Sequence, residues 1–258
     1  MYDFHAHTNY SDGTFLPGMV RAAESAGLGG IGFADHCTAS ARDSATAVRD
    51  RYGFTLDITY GRRRRAIERI REEATIEVFD AVEMDYDPRD EPEIRAFLEE
   101  AGFDYTIGSV HDVDDENVQV SSNFRDLGEA DRKDVVDGYV ENLVALVESE
   151  LFDVAAHLDL VERTPPLRGL ATVDHYERVA LAFADSRTIP EINAGRATTD
   201  AEIVHPDEEF LEALREYDVP VTLGTDSHRS DEIGERATVL EEFIATHDLE
   251  PVSPPSVH

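Results

Sequence analysis

The sequence has little of three residue types: its 258 residues include one cysteine (Cys37), one lysine (Lys133) and no tryptophan. A single cysteine excludes an intrachain disulfide framework and is typical of a protein in a reducing compartment. No run approaches the roughly 20 apolar residues of a membrane span, and the first residues lack the basic stretch of a signal peptide. We therefore expect a soluble, ordered, cytoplasmic protein.

Positive charge is scarce as well, since 23 Lys and Arg face 56 Asp and Glu, for a formal net charge of −33. A polyanion repels nucleic acids and anionic membranes, so we expect neither a membrane nor a long nucleic acid as a partner. An acidic chain with almost no lysine is typical of a halophilic protein, because at about 1 M salt the Debye length falls to about 3 Å. An ordinary acidic protein is the alternative.

Short apolar runs alternate with amphipathic stretches along the chain, which predicts an α/β fold. Such strands pair in parallel through right-handed crossovers, and an open sheet and a closed barrel both fit this order. We expect one domain over residues 1–250 and a flexible tail over 251–258. The predicted strands are 2–5, 30–34, 81–84, 105–109, 154–156, 189–192 and 221–224. The predicted helices are 17–26, 63–74, 92–101, 132–150, 173–185, 207–217 and 236–247.

Four consecutive arginines occupy positions 62–65. They could form a patch for phosphate or nucleic acid. In so acidic a chain we favour a solvated helix face, paired at helical spacing with Glu68, Glu72 and Glu73.

Most of the metal-type ligands follow the C-terminal ends of predicted strands, the edge that carries function in barrels and open parallel sheets. Six of the ten histidines lie there, and so do two carboxylates. Only four histidines lie elsewhere, at positions 175, 205, 247 and 258. The candidate ligands at the strand ends are His5, His7, His36, Glu83, His111, His157, Asp226 and His228.

The spacing of these residues suits a metal. His5 and His7 are two apart on a strand, so their side chains share a face and can converge on one ion. Asp226 and His228 repeat that spacing. Imidazole together with carboxylate suits Zn²⁺, Mn²⁺ or Fe²⁺. Because there are too many ligands for one tetrahedral ion, we predict two or three ions, with Glu83 as a candidate bridge.

Three further residues lie beside these ligands. Asp12 precedes a glycine, and it fits either a turn or an additional ligand. Asp35 either orients the site from behind the ligands or is simply exposed. We interpret Cys37 as a small buried residue and not as a ligand.

In chain order, these motifs resemble those of the polymerase-and-histidinol-phosphatase (PHP) superfamily of metal-dependent phosphoesterases. The motifs are His-x-His-Thr-x-x-Ser-Asp-Gly from His5, Ala-Asp-His36, the Glu83 strand, Ser-Val-His111, Ala-His157-Leu-Asp and Thr-Asp-Ser-His228. The resemblance implies a distorted seven-stranded (β/α) barrel with three metals. It assigns one metal to His5, His7, Glu83 and Asp226, a second to Glu83, His111 and His157, and a third to Asp12, His36 and His228.

Within the superfamily, the second half is most similar to histidinol-phosphate phosphatases, through segments 103–111, 151–160, 191–196 and 201–206. The resemblance implies that Arg163 and Arg196 bind the substrate phosphate, with a surface ion pair as the alternative for each arginine. The segment that ends at Arg196 is one residue shorter than the usual pattern. The cysteine that these phosphatases usually carry before the third ligand region is also missing.

We predict hydrolysis of a small phosphorylated metabolite, histidinol phosphate first, with Glu83, Asp226 and His228 as the catalytic residues. The metals would polarise phosphoryl oxygens and activate a water molecule. A PHP phosphoesterase acting on nucleotides or other small phosphoesters is one alternative. A non-catalytic, metal-binding regulatory protein is another, and a metal-dependent amidohydrolase fits the ligand order less well.

Overall fold

Parallel strands alternate with helices through residues 1–52, 55–200 and 202–257, the parts of the chain that the computed structural model describes. This order confirms the predicted α/β class. The strands are β1 (Tyr2–Ala6), β2 (Gly30–Phe33), β3 (His36–Cys37), β4 (Glu77–Asp85), β5 (Tyr105–Ser109), β6 (Asp112–Val113), β7 (Glu116–Asn117), β8 (Val154–Ala155), β9 (Ile189–Arg196), β10 (Ile203–His205) and β11 (Thr222–Gly224). The α-helices are α1 (Leu16–Ser25), α2 (Asp43–Tyr52), α3 (Tyr60–Arg71), α4 (Glu91–Ala101), α5 (Ser121–Phe124), α6 (Glu129–Glu148), α7 (Val173–Ala184), α8 (Glu208–Glu216) and α9 (Ser230–His247).

The main sheet runs β1, β2, β4, β5, β8, β9 and β11, and each of these strands is parallel to the next. β11 then returns to β1 through a bridge between Ala6 and Ser227. The backbone N–H of His7 donates to Ser227 at 2.9 Å, and that of Asp226 donates to His5 at 2.7 Å. These contacts close the strands into a distorted barrel at the edge where the predicted ligands lie.

The interior of this barrel is filled by a buried cluster that takes no residue from any helix. Tyr105 packs edge-on against Phe4, with ring centroids 5.7 Å apart. A Cβ at Gly32 would lie 1.7 Å from the Tyr105 hydroxyl, so only glycine allows this packing. The buried members of the cluster are Phe4, Ala34, Ala81, Tyr105, Ile107, Val154, Ala156 and Ile189.

The structure extends several predicted elements. α9 begins at Ser230, six residues before the predicted start, because Glu232 accepts the backbone N–H of Arg229 and caps the first turn. β9 continues to Arg196, since β10 pairs antiparallel with its end. β4 begins at Glu77, where it pairs with Gly30 of β2. The added turn of α9 is mostly polar, and the added parts of β4 and β9 mix polar with apolar residues, so hydrophobic periodicity did not indicate them.

The structure also contains elements that the sequence did not predict. These are α2, the short α5, β10 and the hairpin of β6 and β7. β3 continues the line of β2 and pairs with β4, which places His36 beside Glu83.

The prediction for the arginine run was wrong at Arg63. This side chain is fully buried and donates to Asp35 at 2.8 Å and to Asp80 at 2.7 Å. Arg64 also donates to Asp80, at 2.7 Å. Two buried carboxylates need a positive partner, so one arginine of the run turns inward instead of facing solvent.

The C-terminal segment, for which the sequence predicts flexibility, contacts the end of the barrel opposite the predicted ligands. The N–H of Val252 donates to Val221 at 2.8 Å, and the Ser256 hydroxyl donates to Asp153 at 2.6 Å. Val257 packs on the barrel-interior cluster. His258 lies outside the described residues, and flexibility of the tail in solution stays a prediction.

Among the described residues, the structure contains no helix that is both long enough and apolar enough to cross a membrane.

Candidate metal centre

All nine predicted metal ligands lie on one side of the barrel, eight of them at or near strand ends and Asp12 in the turn after β1. Seven of them line a cavity of about 320 Å³, together with Arg163 and Arg196. His5 and His7 are fully buried and contact the cavity ligands Glu83 and Asp226. The seven cavity ligands are Asp12, His36, Glu83, His111, His157, Asp226 and His228.

His5, His7 and Glu83 form the most buried group that could hold a metal. The Nε2 atoms of His5 and His7 are 3.1 Å apart, and they lie 3.4 and 3.5 Å from Oε2 of Glu83. Two nitrogens bound tetrahedrally to one Zn²⁺ are about 3.3 Å apart, given Zn–N bonds of about 2.0 to 2.1 Å. Oδ1 of Asp226 is a fourth candidate ligand atom for this group, 3.3 Å from Nε2 of His7.

Glu83, His111 and His157 form a second such group. Oε1 of Glu83 lies 3.0 Å from Nε2 of His157 and 3.6 Å from Nε2 of His111. The two oxygens of Glu83 therefore face different groups, as expected of a bridging carboxylate.

The third group contains Asp12, His36 and His228, and the structure adds His7 to it. Oδ1 of Asp12 lies 3.3 Å from Nε2 of His228 and 3.8 Å from Nε2 of His36. It is 3.9 Å from Nδ1 of His7. Asp12 lies in a turn, as one of its two alternatives predicts, and its carboxylate also faces these imidazoles, so its role as a ligand stays a prediction.

Hydrogen bonding and charge at this site suit a cation. Oε2 of Glu83 is buried without a well-oriented hydrogen bond, although imidazole nitrogens of three histidines lie within 3.5 Å of it. Burial raises the pKa of Glu83, but the neighbouring histidines His36 and His5 outweigh burial and hold that pKa well below its usual value. Burial also lowers the pKa of His7 and of His157 to about 4, so both imidazoles are unprotonated and ready to bind a metal at neutral pH.

A set of residues that the sequence did not indicate orients these ligands. Oε1 of Glu191 lies 2.8 Å from Nδ1 of His5, and Oδ1 of Asp85 lies 2.6 Å from Nδ1 of His111. The amide of Asn193 donates to Glu191 at 2.9 Å and lies 3.4 Å from Asp226. Such partners fix the ring orientation and the tautomer of a histidine ligand. Glu191 and Asn193 are two apart on β9, the same spacing that indicated His5 and His7.

Close packing reinforces this arrangement at Gly224. A Cβ there would lie 1.7 Å from Oε1 of Glu191 and 2.6 Å from Cβ of His5. Only glycine therefore allows Glu191 to reach the imidazole of His5.

Asp35 lies behind the candidate ligands. It is fully buried, so the alternative that this side chain is simply exposed is wrong. Its carboxylate accepts the backbone N–H of Thr8 at 2.6 Å, the Thr8 hydroxyl at 2.7 Å and the Ser11 hydroxyl at 2.7 Å. These bonds fix the loop between His7 and Asp12. Cys37 is fully buried, as predicted.

Two predicted phosphate-binding residues and one unpredicted arginine line the cavity. Arg163 is nearly buried, and its Nη2 lies 3.5 Å from Oδ2 of Asp226. Arg196 is exposed at the end of β9. Arg236, on α9, donates to the backbone carbonyl of Asp226 at 2.7 Å. The cavity therefore combines the carboxylates and imidazoles with three guanidinium groups.

Comparisons with known proteins bear on the family and the fold of this chain. The sequence model of the family described as "PHP domain" matches residues 3–195. A Deinococcus radiodurans protein named "Probable histidinol-phosphatase" is 28% identical over 267 residues, which cover 91% of this chain and 88% of the relative.

Solved structures with the same fold include that of the histidinol phosphate phosphatase of Lactococcus lactis, crystallised with zinc, L-histidinol and phosphate. It superposes with a TM-score of 0.74 at 22% identity, covering 98% of this chain and 95% of the other. At this identity, the likeness shows the fold alone.

Proposed function

The chain belongs to the PHP domain family, and from that premise we propose that it is a metal-dependent phosphomonoesterase that hydrolyses histidinol phosphate. One observation carries the proposal. Three groups of ligands meet around Glu83 and its neighbours in a cavity that also presents arginines, so metal and phosphate ligands share one space. The names of a relative and of a structural neighbour, both histidinol phosphatases, favour this substrate.

The residues fit two to three divalent ions, and we propose Zn²⁺, Mn²⁺ or Fe²⁺ from their imidazole and carboxylate ligands. When bound, such ions polarise phosphoryl oxygens and lower the pKa of a bound water molecule towards 7. The first ion would be held by His5, His7, Glu83 and Asp226, the second by Glu83, His111 and His157, and the third by Asp12, His36 and His228.

The side chains of the cavity have separate tasks in this proposal. Arg163 and Arg196 bind peripheral phosphate oxygens, because a planar guanidinium can donate two parallel hydrogen bonds to them. Glu83 is the carboxylate shared between ligand groups. In the lining of the cavity, Asp226 faces Arg163 and His228 faces Asp12. We propose Glu83, Asp226 and His228 as the catalytic residues.

The strongly negative net charge of the chain does not oppose phosphate binding. Bound divalent ions and arginines set the local field in the cavity, whereas the charges of distant carboxylates are screened by salt. We propose a small phosphorylated metabolite as the substrate and, from the single cysteine, the cytoplasm as the location.

A turnover assay tests the proposal. The protein loaded with Zn²⁺ or Mn²⁺ should hydrolyse histidinol phosphate, and His5→Ala and His7→Ala should abolish hydrolysis. His247→Ala, on the last turn of α9, is the matched control and should keep full activity. Full activity in His5→Ala and His7→Ala would contradict the metal mechanism.

The choice of substrate needs a panel of phosphomonoesters, phosphodiesters and nucleotides. A strong preference for nucleotides or diesters would favour another PHP phosphoesterase. Metal binding without turnover of any compound would favour a regulatory protein.

A further inference from the structure

Three side chains form a continuous chain of hydrogen bonds behind the cavity. Nε of Arg163 lies 2.8 Å from Nε2 of His205, and Nδ1 of His205 lies 2.5 Å from Oδ1 of Asp159. His205 is fully buried and Asp159 is 2% exposed. Among the residues that the structure describes, neither belongs to a group that could hold a metal. This network of hydrogen bonds therefore has a role other than metal binding.

The positions of the hydrogens in this chain follow from the chemistry of the groups. A guanidinium can only donate, so Nε2 of His205 must be unprotonated where Arg163 meets it. The neutral imidazole then carries its proton on Nδ1, from which it donates to Asp159. Protonation of both ring nitrogens would set two donors against each other at Arg163. The contact with Arg163 thus permits only the neutral tautomer of His205 that is protonated on Nδ1, and Asp159 favours the same tautomer.

The backbone holds the Asp159 end of this hydrogen-bond network in place. Oδ2 of Asp159 accepts the backbone N–H of Asp207 at 2.9 Å, two residues after His205. This bond joins the loop after β8, which carries Asp159 and Arg163, to the segment that follows β10. The carboxylate therefore has one oxygen for the imidazole and one for the backbone beside it.

The opposite edge of Arg163 is much less constrained. Nη1 lies 3.5 Å from the amide oxygen of Gln119, and Nη2 lies 3.3 Å from that of Asn193 and 3.5 Å from Asp226. The short bond is thus at Nε, whereas the contacts of the terminal nitrogens with the described part of the chain are long, and Arg163 lines the cavity. A phosphoryl oxygen can replace such long contacts with short, charge-assisted bonds.

We propose that Asp159 and His205 are positioning residues: Asp159 fixes the tautomer of His205, and His205 holds Arg163 so that its terminal nitrogens meet a phosphoryl oxygen. This inference rests on the proposed phosphate-binding role of Arg163. It adds two residues, outside the metal ligands, on which the affinity for phosphate depends.

Binding of inorganic phosphate to the zinc-loaded protein, measured by calorimetry, tests the inference without turnover. Asp159→Asn places an amide donor next to Nδ1, which favours the tautomer with a proton on Nε2 and sets that proton against Arg163. Because a small misplacement of a binding group is costly, phosphate should bind about tenfold more weakly. Asp153→Asn is the matched control: this carboxylate is also buried, but it binds Thr106 and Arg187 at the other end of the barrel, and its loss should leave phosphate affinity unchanged.

Substitutions of His205 separate positioning from packing. His205→Gln keeps an acceptor for Arg163 and a donor for Asp159, so phosphate affinity should stay within about threefold of the original. His205→Leu removes the acceptor and should weaken binding about tenfold or more. Bound zinc should be unchanged in both variants. Equal loss in His205→Gln and His205→Leu would indicate a packing role and overturn the inference.

A double-mutant cycle with Arg163→Met identifies the residue through which Asp159 acts. In the Arg163→Met background, Asp159→Asn should cause no further loss of phosphate affinity. An undiminished further loss would overturn the inference, and so would unchanged phosphate affinity in Arg163→Met alone.

Nitrogen-15 NMR of labelled histidines provides a readout that a packing role would not change. The unprotonated Nε2 of His205 should become protonated in Asp159→Asn, and an unchanged tautomer would contradict the proposal.

The outcomes also separate this inference from the proposed function. A protein that binds phosphate through Arg163 but does not hydrolyse histidinol phosphate would contradict the proposed function and leave the positioning chain intact. Turnover of histidinol phosphate, with phosphate affinity insensitive to Asp159→Asn, would overturn the inference alone.

Discussion

Glu191 accepts a hydrogen bond from Nδ1 of His5 at 2.8 Å, and neither side chain is more than 1% exposed. The bond leaves Nε2 of His5 facing His7 and Glu83. A carboxylate behind a histidine ligand fixes its tautomer and increases its basicity. In the proposed metal site, Glu191 would thus orient His5 from behind without being a ligand itself.

Replacing Glu191 should therefore weaken metal binding. In Glu191→Gln, an amide donor would meet the backbone N–H of His157 or the amide of Asn193, both of which now donate to the carboxylate. We expect zinc affinity, measured by competition with a chelator, to fall about 10- to 100-fold. Glu216→Gln, at the exposed end of α8, is the control and should bind zinc as the original protein does. Unchanged affinity in Glu191→Gln would show that His5 does not depend on this carboxylate.

The buried pair of Arg63 and Asp35 makes a prediction about stability. Arg63→Met leaves the carboxylates of Asp35 and Asp80 buried without this positive partner. Loss of one member of a buried ion pair typically costs about 3 to 5 kcal/mol, so the midpoint of denaturant unfolding should fall clearly. Arg62→Met, one position away and exposed, should change the free energy of unfolding by less than about 0.5 kcal/mol.

The same pair fixes the direction of the pH dependence. Burial raises the pKa of Asp35, but Arg63 outweighs burial, and the net pKa lies below its usual value. The stability from this pair is therefore present above the ordinary pKa of aspartate, near 4, and is lost as the pH falls through the lower pKa of the folded state. Without Arg63, burial keeps Asp35 protonated to higher pH. The deficit of Arg63→Met should thus be largest at neutral pH and shrink on acidification, and a constant deficit would contradict this account.

The sequence predicted that these side chains lie together because eight of the nine candidate ligands lie at or near a strand end, where the residues flanking a short apolar run mark the edge of a barrel; Asp12, in a turn, is the exception. The same periodicity placed the seven strands of the closed barrel. Hydrophobic periodicity did not indicate polar side chains that are buried because they contact other buried polar side chains. Arg63 follows helical spacing like its neighbours, and only the folded chain shows that Asp35 and Asp80 lie beneath it. His205 and Asp159 lie 46 residues apart, so their contact was visible only in the structure.

Metal binding should release protons from some histidines and not from others. Burial opposes protonation of His36, but the carboxylates of Glu83 and Asp12 raise its pKa to about 10. His7, whose pKa burial and neighbouring histidines lower to about 4, is already unprotonated at pH 7. Zinc should therefore displace a proton from His36 and none from His7, and calorimetry in buffers of different ionisation enthalpy measures the number released.

Two variants make this comparison sharp. At pH 7, His36→Asn should reduce the release by about one proton per protein, whereas His7→Asn should weaken zinc binding without reducing the release. For the original protein, the release should decline as the pH rises towards 10, since His36 then loses its proton before the metal arrives. Equal reductions in His36→Asn and His7→Asn would contradict the assigned protonation states.

The net charge of −33 predicts how salt affects the stability of the whole chain. Repulsion among carboxylates destabilises the folded state, and raising the salt from about 0.1 M to about 1 M shortens the Debye length from about 10 Å to about 3 Å. The thermal midpoint should therefore rise with sodium chloride over this range. Asp134→Asn combined with Glu141→Gln, two exposed positions on α6, removes part of the repulsion and should make the rise smaller. If stability peaked at low salt, the acidic composition would not be an adaptation to molar salt, and the charge would have to serve another purpose.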